Sequence, residues 1–294
     1  PTAVACSIFL SRRGSRRLFC HRKPERAESK TDPKGCWNKR AATFPTYTGQ
    51  ADSYEVGMLN LAKKEGAVLH DKLILDVGCG SGLYSIGLAL EARRLTALDI
   101  SPEMLSMLKA KADSWGLENI DYVQSDWLDF DRGDAYDLIF CSMNPVFRDL
   151  SGREKLLSFA PVKVVYIGFA APMRSDVTSG LYEKYDLDPE GVVDVPDMKD
   201  WLKGLNLKFR SSIVSGLWRV SFSFADLRYN CINTLNNYGV RRDLDWLNDY
   251  LAQLLDEGGR FIESTPYTGE MWVCKNRRRQ KGIAKREECW SGCY

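Results

Sequence analysis

Three glycines at alternate positions, Gly78, Gly80 and Gly82, follow an acid, Asp76, at the end of a short apolar run. Glycine lets the backbone turn tightly and approach a ligand without a Cβ in the way. A helix is predicted to begin near Ser81, and its free N–H groups would then face whatever lies over the loop. A strand, a glycine loop and a helix start together indicate a binding site for a nucleotide-like ligand.

Further polar and aromatic groups follow the next two predicted strands. Asp99 lies 23 residues after Asp76, where a carboxylate can accept hydrogen bonds from both hydroxyls of a ribose. Asp126 and Trp127 follow the third strand and offer a carboxylate for an exocyclic amine and an indole for stacking on a base. Ligands bind outside the carboxyl ends of the strands in open α/β sheets. The pattern therefore predicts a ligand with a ribose and a purine, and no P-loop lysine accompanies it.

Strands that alternate with helices must position these groups. Buried runs predict strands near 73–75, 95–100, 120–124, 136–141 and 164–169. Helices between them imply parallel βαβ units with right-handed crossovers. Strand patterns recur at 207–222 and 269–274, separated by two helical patterns. We predict an α/β fold with a doubly wound, mostly parallel seven-stranded sheet and a helical cap, about 223–258, inserted before the last strand and over the sheet edge.

The segment LDVGCGSG at 75–82 resembles the glycine motif of class I S-adenosylmethionine-dependent methyltransferases. Its G-x-G-x-G pattern after an acid differs from the G-x-G-x-x-G fingerprint of nicotinamide-binding folds. The resemblance covers roughly residues 37–170 and is expected to extend to 274. It implies a Rossmann-like methyltransferase that uses S-adenosyl-L-methionine as its cofactor and transfers the methyl group by in-line displacement.

The resemblance also implies roles for individual residues. Asp76 would lie near the methionine amine, Asp99 would bind the ribose hydroxyls, and Arg40 in WNKRA at 37–41 would pair with the cofactor carboxylate. Cys79 is expected to pack rather than to act as a nucleophile. The predicted cofactor-binding residues are Arg40, Asp76, Gly78, Cys79, Gly80, Gly82, Asp99, Ile100 and Met104 against adenine, Asp126 and Trp127 in the adenine loop, and Ser142 near the sulfur.

Each of these residues also has a purely structural interpretation. Glycines after a strand can serve only as turns, and Asp99 can cap a helix. Trp127 can be a core residue, and Arg40 can be an ordinary exposed charge.

The acceptor is less well indicated. Asn144 begins the run N-P-V-F, which matches only in part the [DN]-P-P-[YFW] motif of methylases that act on amide and exocyclic amine nitrogens. Asn144, Trp218 and Phe222 are predicted to contact the substrate, although aromatic residues at such spacing are also typical of core. Because methyl transfer needs mainly orientation and exclusion of water, and a base only for an acceptor that must lose a proton, no catalytic residue is predicted.

The distribution of charge bears on the acceptor. Residues 1–40 hold 11 Lys/Arg against 3 Asp/Glu, which leaves 30 basic and 36 acidic residues in the rest of the chain. The body is therefore acidic, and this argues against a nucleic-acid surface on it. We expect a small-molecule acceptor. An RNA or protein acceptor docked by the basic tails, and a non-catalytic S-adenosylmethionine-binding protein, remain alternatives.

The two ends differ from the middle of the chain. Residues 1–36 predict a basic, disordered extension, an organelle transit peptide or a misplaced start, and 275–294 predict a basic tail. The methyltransferase domain is expected at 37–274. Nine cysteines without a C-x-x-C spacing indicate neither a metal site nor a disulfide framework, so we expect reduced thiols and a cytoplasmic protein, or an organellar one. No apolar run approaches the length of a membrane span, and the oligomeric state stays open.

Overall fold

The computed structural model describes residues 32–132, 135–159, 161, 163–187 and 195–275. The basic segments 1–31 and 276–294, on which the predictions about extensions and tails chiefly depend, lie outside these residues. Within them, no helix is both long enough and apolar enough to cross a membrane. His, Cys, Asp and Glu side chains of the same residues form no group of three that could hold a metal ion.

Seven strands form one sheet in the order β3-β2-β1-β4-β5-β7-β6. The first five pair in parallel, whereas β7 is antiparallel to both β5 and β6. The strands are β1 (Leu73–Val77), β2 (Arg94–Asp99), β3 (Ile120–Gln124), β4 (Leu138–Ser142), β5 (Lys163–Phe169), β6 (Phe209–Ser223) and β7 (Arg260–Lys275). The predicted doubly wound, mostly parallel seven-stranded sheet is confirmed. Its switch point lies between β1 and β4, where ligands of such folds bind.

Helices cover both faces of the sheet. They are α1 (Pro33–Arg40), α2 (Tyr54–Lys64), α3 (Ser85–Ala89), α4 (Pro102–Ser114), α5 (Leu150–Ser158), α6 (Asp176–Tyr185), α7 (Val195–Gly204), α8 (Phe224–Asn237) and α9 (Leu244–Leu254). Alternate residues of β1 serve the two faces: Ile74 packs in a core with α2, α3 and α4, and Leu75 packs in a second core with α5 and α7. Period-two alternation thus places Asp76 on the same face as Ile74.

The last two strands extend beyond the sheet. Of the residues of β7, only 269–275 pair with β5. Residues 260–268 of β7 pair with residues 215–223 of β6 alone, as a two-stranded ribbon. The ribbon leads into α8 and α9, which form a third core together with α6. The predicted last strand, 269–274, is therefore too short. Pro266 lies in the part of β7 that precedes residue 269, and a two-stranded ribbon open to solvent accommodates a proline opposite Leu217.

Candidate functional site

The glycine loop follows β1 and is hydrogen-bonded to the end of β2. Gly78, Gly80 and Gly82 have φ angles of 72°, 55° and 91°, in the left-handed region where glycine is favoured. The backbone N–H groups of Gly78 and Cys79 donate to the carbonyl oxygen of Leu98 at 2.8 and 3.0 Å. The predicted helix start near Ser81 is wrong, because left-handed glycines cannot continue an α-helix; residues 80–84 turn instead, and α3 begins at Ser85.

Asp99 holds the loop in place from the end of β2. Its side chain is 8% exposed, and its two oxygens accept hydrogen bonds from the backbone N–H groups of Gly80 and Ser101, each at 2.8 Å. A carboxylate has about four lone-pair positions, so two remain for ligand hydroxyls. Burial raises the pKa of Asp99, and the backbone N–H groups of Ser101 and Gly80 oppose this effect. Asp99 is thus both a structural residue and a candidate ribose ligand.

Asp76 lies beneath the loop. It is 3% exposed, and one of its oxygens accepts a hydrogen bond from the Ser85 hydroxyl at 2.6 Å. Burial raises the pKa of Asp76 to about 7, the Ser85 hydrogen bond lowers it, and the Asp99 carboxylate raises it further. A cationic amine over the loop would offset the cost of this buried charge.

Cys79 is buried in the core, and burial raises the pKa of its thiol well above the ordinary range. A thiol that stays protonated is a poor nucleophile. This geometry fits the expected packing role.

Ile100 follows the last residue of β2, and Met104 lies in the first turn of α4. Ile100 is half-buried, whereas Met104 is 1% exposed and its backbone N–H donates to the Ser101 hydroxyl at the start of α4. The predicted contact with adenine therefore falls more readily to Ile100.

Asp126 and Trp127 have different environments. Asp126 is half-buried, and one carboxylate oxygen accepts from the backbone N–H of Leu128 at 2.7 Å, as in a turn. Trp127 is 4% exposed; its indole N–H donates to the carbonyl of Gly152, and its ring stacks with that of Phe159 at 5.5 Å. The prediction that Trp127 stacks on a base is corrected, because the ring is enclosed in the core. Asp126 stays a candidate.

The segment before α2 lies against the loops that follow β1 and β2. The Ser81 hydroxyl donates to the carbonyl oxygen of Pro45 at 2.6 Å, and the Ser101 hydroxyl donates to Asn38 Oδ1 at 2.6 Å. A Cβ on Gly80 would meet the ring of Phe44 at 3.4 Å, so this ring covers the glycine. Arg40 is exposed, and its guanidinium carbon lies 5.4 Å from the centre of the Trp37 ring. Its pairing with a cofactor carboxylate stays a prediction.

Asn144 and Ser142 follow β4 at the switch point. The Asn144 amide donates to the carbonyl oxygen of Val77 at 3.3 Å, and its oxygen accepts from the backbone N–H of Val146. A Cβ on Gly78 would displace the Asn144 amide, and the φ of 72° would strain any residue other than glycine. Phe147 is 1% exposed in the core, which removes the aromatic part of the amine-methylase motif. Ser142 is half-buried.

Aromatic side chains connect this edge of the sheet to the ribbon. Trp218 stacks on Tyr267 with ring centres 4.6 Å apart, and meets Tyr54 edge-on at 5.9 Å. Tyr54 lies 6.4 Å from Tyr84, which in turn lies 5.0 Å from Phe140 of β4. We call Tyr54, Tyr84, Trp218 and Tyr267 the aromatic wall. Sequence reasoning found only Trp218 of these four, since the others belong to elements far apart in the chain.

Two hydroxyls of the aromatic wall have unusual surroundings. Burial raises the pKa of Tyr54 to about 12 and that of Tyr84 well above the ordinary range for tyrosine. The Tyr84 hydroxyl makes no hydrogen bond among the described residues, although the hydroxyls of Tyr54 and Ser142 are near enough to influence its pKa. Phe222, the other predicted substrate contact, packs instead against the third core with Phe224. Its predicted role is corrected, because the ribbon directs its ring into the cap.

Parts of the chain are similar in sequence to methyltransferases. Residues 74–158 match a family described as a methyltransferase domain. An uncharacterized protein of Methanocaldococcus jannaschii is 32% identical over 207 residues, 70% of this chain and 46% of the relative. The ubiquinone biosynthesis O-methyltransferase of Vibrio atlanticus is 37% identical over 83 residues, 28% of this chain and 34% of the relative. The rRNA N(6)-adenosine-methyltransferase of Danio rerio is 35% identical over 80 residues, 27% of this chain and 39% of the relative.

Coverage differs between sequence relatives and solved structures. The chain spans about half the length of the first curated relatives that it matches, 54% and 46%. The structure of magnesium protoporphyrin IX methyltransferase from Synechocystis, with bound SAH, aligns with 83% of this chain and 95% of its own, at 15% identity and a TM-score of 0.49.

Proposed function

We propose that the chain, whose residues 74–158 match a methyltransferase domain, binds S-adenosylmethionine over its glycine loop and transfers a methyl group to a small, flat acceptor. The observation that carries the proposal is the convergence of Gly78, Asp99 and Asn144 at the switch point of the sheet.

The residues at this point suit the cofactor. The left-handed glycines leave the loop free of Cβ atoms, and the Asp99 carboxylate keeps acceptor capacity after its two backbone hydrogen bonds. The half-buried Asp126 and Ile100 follow β3 and β2, at the side where a purine would lie. Asp76 provides a buried negative charge beneath the loop for an amine.

The cofactor, when bound, supplies an electrophilic methyl group on a sulfonium. The chain's own residues contribute orientation and exclusion of water. The Phe44 ring covers Gly80 from one side, and the aromatic wall lies beside β4, where Tyr84 contacts Phe140. Tyrosine hydroxyls are protonated at neutral pH, and burial raises the pKa of Tyr54 and Tyr84 further, which disfavours either hydroxyl as a base.

Two features favour a small, flat acceptor. Tyr54, Trp218 and Tyr267 of the aromatic wall are half-buried, so part of each ring is open to a planar molecule, and aromatic pairs contribute beyond their buried area. Residues 41–275 carry 24 Lys/Arg against 34 Asp/Glu, a balance that repels a polyanion. The specific acceptor and its nucleophilic atom are best sought by incubating metabolite fractions with the protein and labelled S-adenosylmethionine.

Calorimetric titration of S-adenosylmethionine tests the cofactor site. Asp99→Asn should lower affinity about tenfold or more, since hydrogen bonds to a charged group are worth about 1.5–3 kcal/mol and a neutral amide accepts fewer of them. Asp113→Asn, at an exposed acid on α4 that pairs with Lys109, is the matched control and should bind as wild type. Thermal unfolding of both variants checks that the loop stays folded. Unchanged affinity in Asp99→Asn would refute the ribose assignment.

A second candidate keeps the enzyme but gives it an RNA or protein acceptor. The basic segments at both ends and the similarity to an rRNA methyltransferase favour it. Removal of residues 1–31 and 276–294 separates the two candidates. A small-molecule enzyme should keep its turnover, whereas a tail-docked enzyme should lose affinity for its acceptor, most strongly at low salt.

The third candidate is a non-catalytic binding protein. It predicts S-adenosylmethionine binding with no S-adenosylhomocysteine formed in any extract. Release of S-adenosylhomocysteine in a single fraction would eliminate it.

A further inference from the structure

The cap contains a cavity of its own, apart from the glycine loop. Its volume is about 560 Å³, within the range of small-molecule sites. One side is formed by α8, through Arg228, Ile232 and Asn236, and the other by residues 239–242 and Leu244. No function is assigned to it by the proposed methyl transfer.

Charge is segregated around this cavity. Residues 223–258 contain three basic residues, Arg228, Arg241 and Arg242, and all three line the cavity. The same segment contains six acidic residues, and none of them lines it. Asp243 is the nearest acid in the chain, but its carboxylate accepts the backbone N–H of Trp246 as the cap of α9. The cap segment, which carries more acidic than basic residues, thus concentrates its arginines at one concave site.

Local structure orients these arginines. Arg228, Ile232 and Asn236 recur every four residues and therefore share one face of α8, next to the face that Leu227 and Cys231 bury in the third core. Arg228 is half-buried, and its Nε donates to Asn248 Oδ1 at 2.7 Å, which fixes the guanidinium.

The second side of the cavity follows from the end of α8. Gly239 has a φ of 65°, and the Val240 N–H donates to the carbonyl oxygen of Leu235 at 3.1 Å. This helix-ending turn brings Arg241 and Arg242 across from α8. Both are exposed, and within the described ranges neither forms an ion pair with an acid.

We propose that this cavity binds a small molecule that carries a phosphate group and an apolar part. Guanidinium forks match phosphate oxygens in paired hydrogen bonds, and three of them can neutralise a dianion. Ile232, Val240 and Leu244 form the apolar remainder of the lining and would contact the rest of the ligand. The proposal does not depend on methyl transfer, because none of these residues lies at the glycine loop.

Phenyl phosphate is a suitable probe, with phenol and inorganic phosphate as its two halves. Titrated calorimetrically into the full chain, it should bind at least about tenfold more tightly than either half. The double variant Arg241→Gln/Arg242→Gln should weaken its binding about tenfold or more, because each exposed arginine contributes charge-assisted hydrogen bonds. Arg93→Gln, which removes an exposed arginine before β2, is the control and should leave binding unchanged.

Amide chemical shifts provide a second measurement on the same samples. Phenyl phosphate should perturb residues near Gly239 and Leu244 in the wild type and not in the double variant, whose unperturbed spectrum elsewhere would show an intact fold. No binding of phenyl phosphate, equal binding by the double variant, or equal binding of phenol would each overturn the proposal. A single-stranded RNA that binds through the same arginines while phenyl phosphate does not compete would overturn it in favour of nucleic acid.

Discussion

At the scale of single residues, Asp76 connects the stability of the protein to its site. The folded pKa of about 7 lies above that of an exposed carboxyl, so between about pH 4 and 7 the folded state binds a proton that the unfolded state has lost. Stability therefore falls as the pH rises through this window, and the cost is complete above the folded pKa. A site that holds a buried acid at neutral pH is poised for a cationic partner.

We expect Asp76→Asn to be more stable than wild type at pH 8 and to lose this advantage near pH 4. The neutral amide keeps an oxygen for the Ser85 hydroxyl but carries no buried charge. Urea unfolding at several pH values measures the difference in the free energy of unfolding. Asp137→Asn, a half-buried acid whose carboxylate accepts the backbone N–H of Leu73, is a control for losing a carboxylate elsewhere. A difference between Asp76→Asn and wild type that does not change with pH would contradict the assignment.

Asp99 and Trp127 show how far residue types alone could be read. Asp99 was predictable, because an acid at the end of β2 meets the loop after β1 in any sheet of this order. Trp127 was not, since a strand end only places a residue near the site. Its indole turns into the core because Phe130 and Phe159 supply ring contacts there and Gly152 supplies an acceptor.

At the scale of elements, the glycine loop depends on α4 as much as on β1. A Cβ on Gly82 would lie 2.3 Å from Leu108 Cδ1, and Leu108 is fully buried on α4. Gly116, which ends α4, has a similar positive φ of 66° but open space around its Cα. The two glycines thus share a positive φ, which would strain any other residue, and differ in packing.

Gly82→Ala should therefore destabilise the protein more than Gly116→Ala. The left-handed conformation costs an alanine about 1–2 kcal/mol at either position, partly offset by the lower entropy of the unfolded chain. Gly82→Ala should lose about 1–3 kcal/mol more, since the added methyl overpacks the core. Chemical unfolding of the two variants measures the gap, and equal losses would mean that Leu108 relaxes without cost.

The sequence pattern predicted the β6 strand of the ribbon but not residues 260–268 of β7. Its exposed apolar side chains, Leu217, Val220 and Ile262, do not alternate with a buried face as in the sheet. Where a strand leaves the sheet, burial no longer decides which residues it contains, and only the hydrogen-bonded pairing reveals its length.

At the scale of the whole molecule, the described residues form three separate hydrophobic cores. Two lie on the faces of the sheet, and the third joins α6, α8 and α9 at the end of the ribbon. The third core shares no buried residue with the other two. The cap should accordingly open as a separate cooperative unit.

Leu247→Ala tests this division. The side chain is fully buried in the cap core, so its removal should cost about 2–5 kcal/mol there. Native-state hydrogen exchange should show lost protection in α8 and α9 with β1, β2 and β4 unchanged. Leu88→Ala, equally buried in the sheet core, should lower protection in those strands instead. A uniform loss in Leu247→Ala would show that cap and sheet unfold together.

The sequence by itself determined the parallel half of the sheet, the glycine loop and the acid that holds it. Period-two burial and left-handed glycines depend on near neighbours in the chain, and parallel pairing of β1 with β2 then brings Asp99 to the glycine loop. Only the tertiary structure decided that Trp127 and Phe222 face cores, that Tyr54, Tyr84 and Tyr267 join Trp218, and that three arginines of the cap meet around one cavity. Those outcomes depend on contacts between elements distant in the chain, and side-chain type and spacing do not encode them.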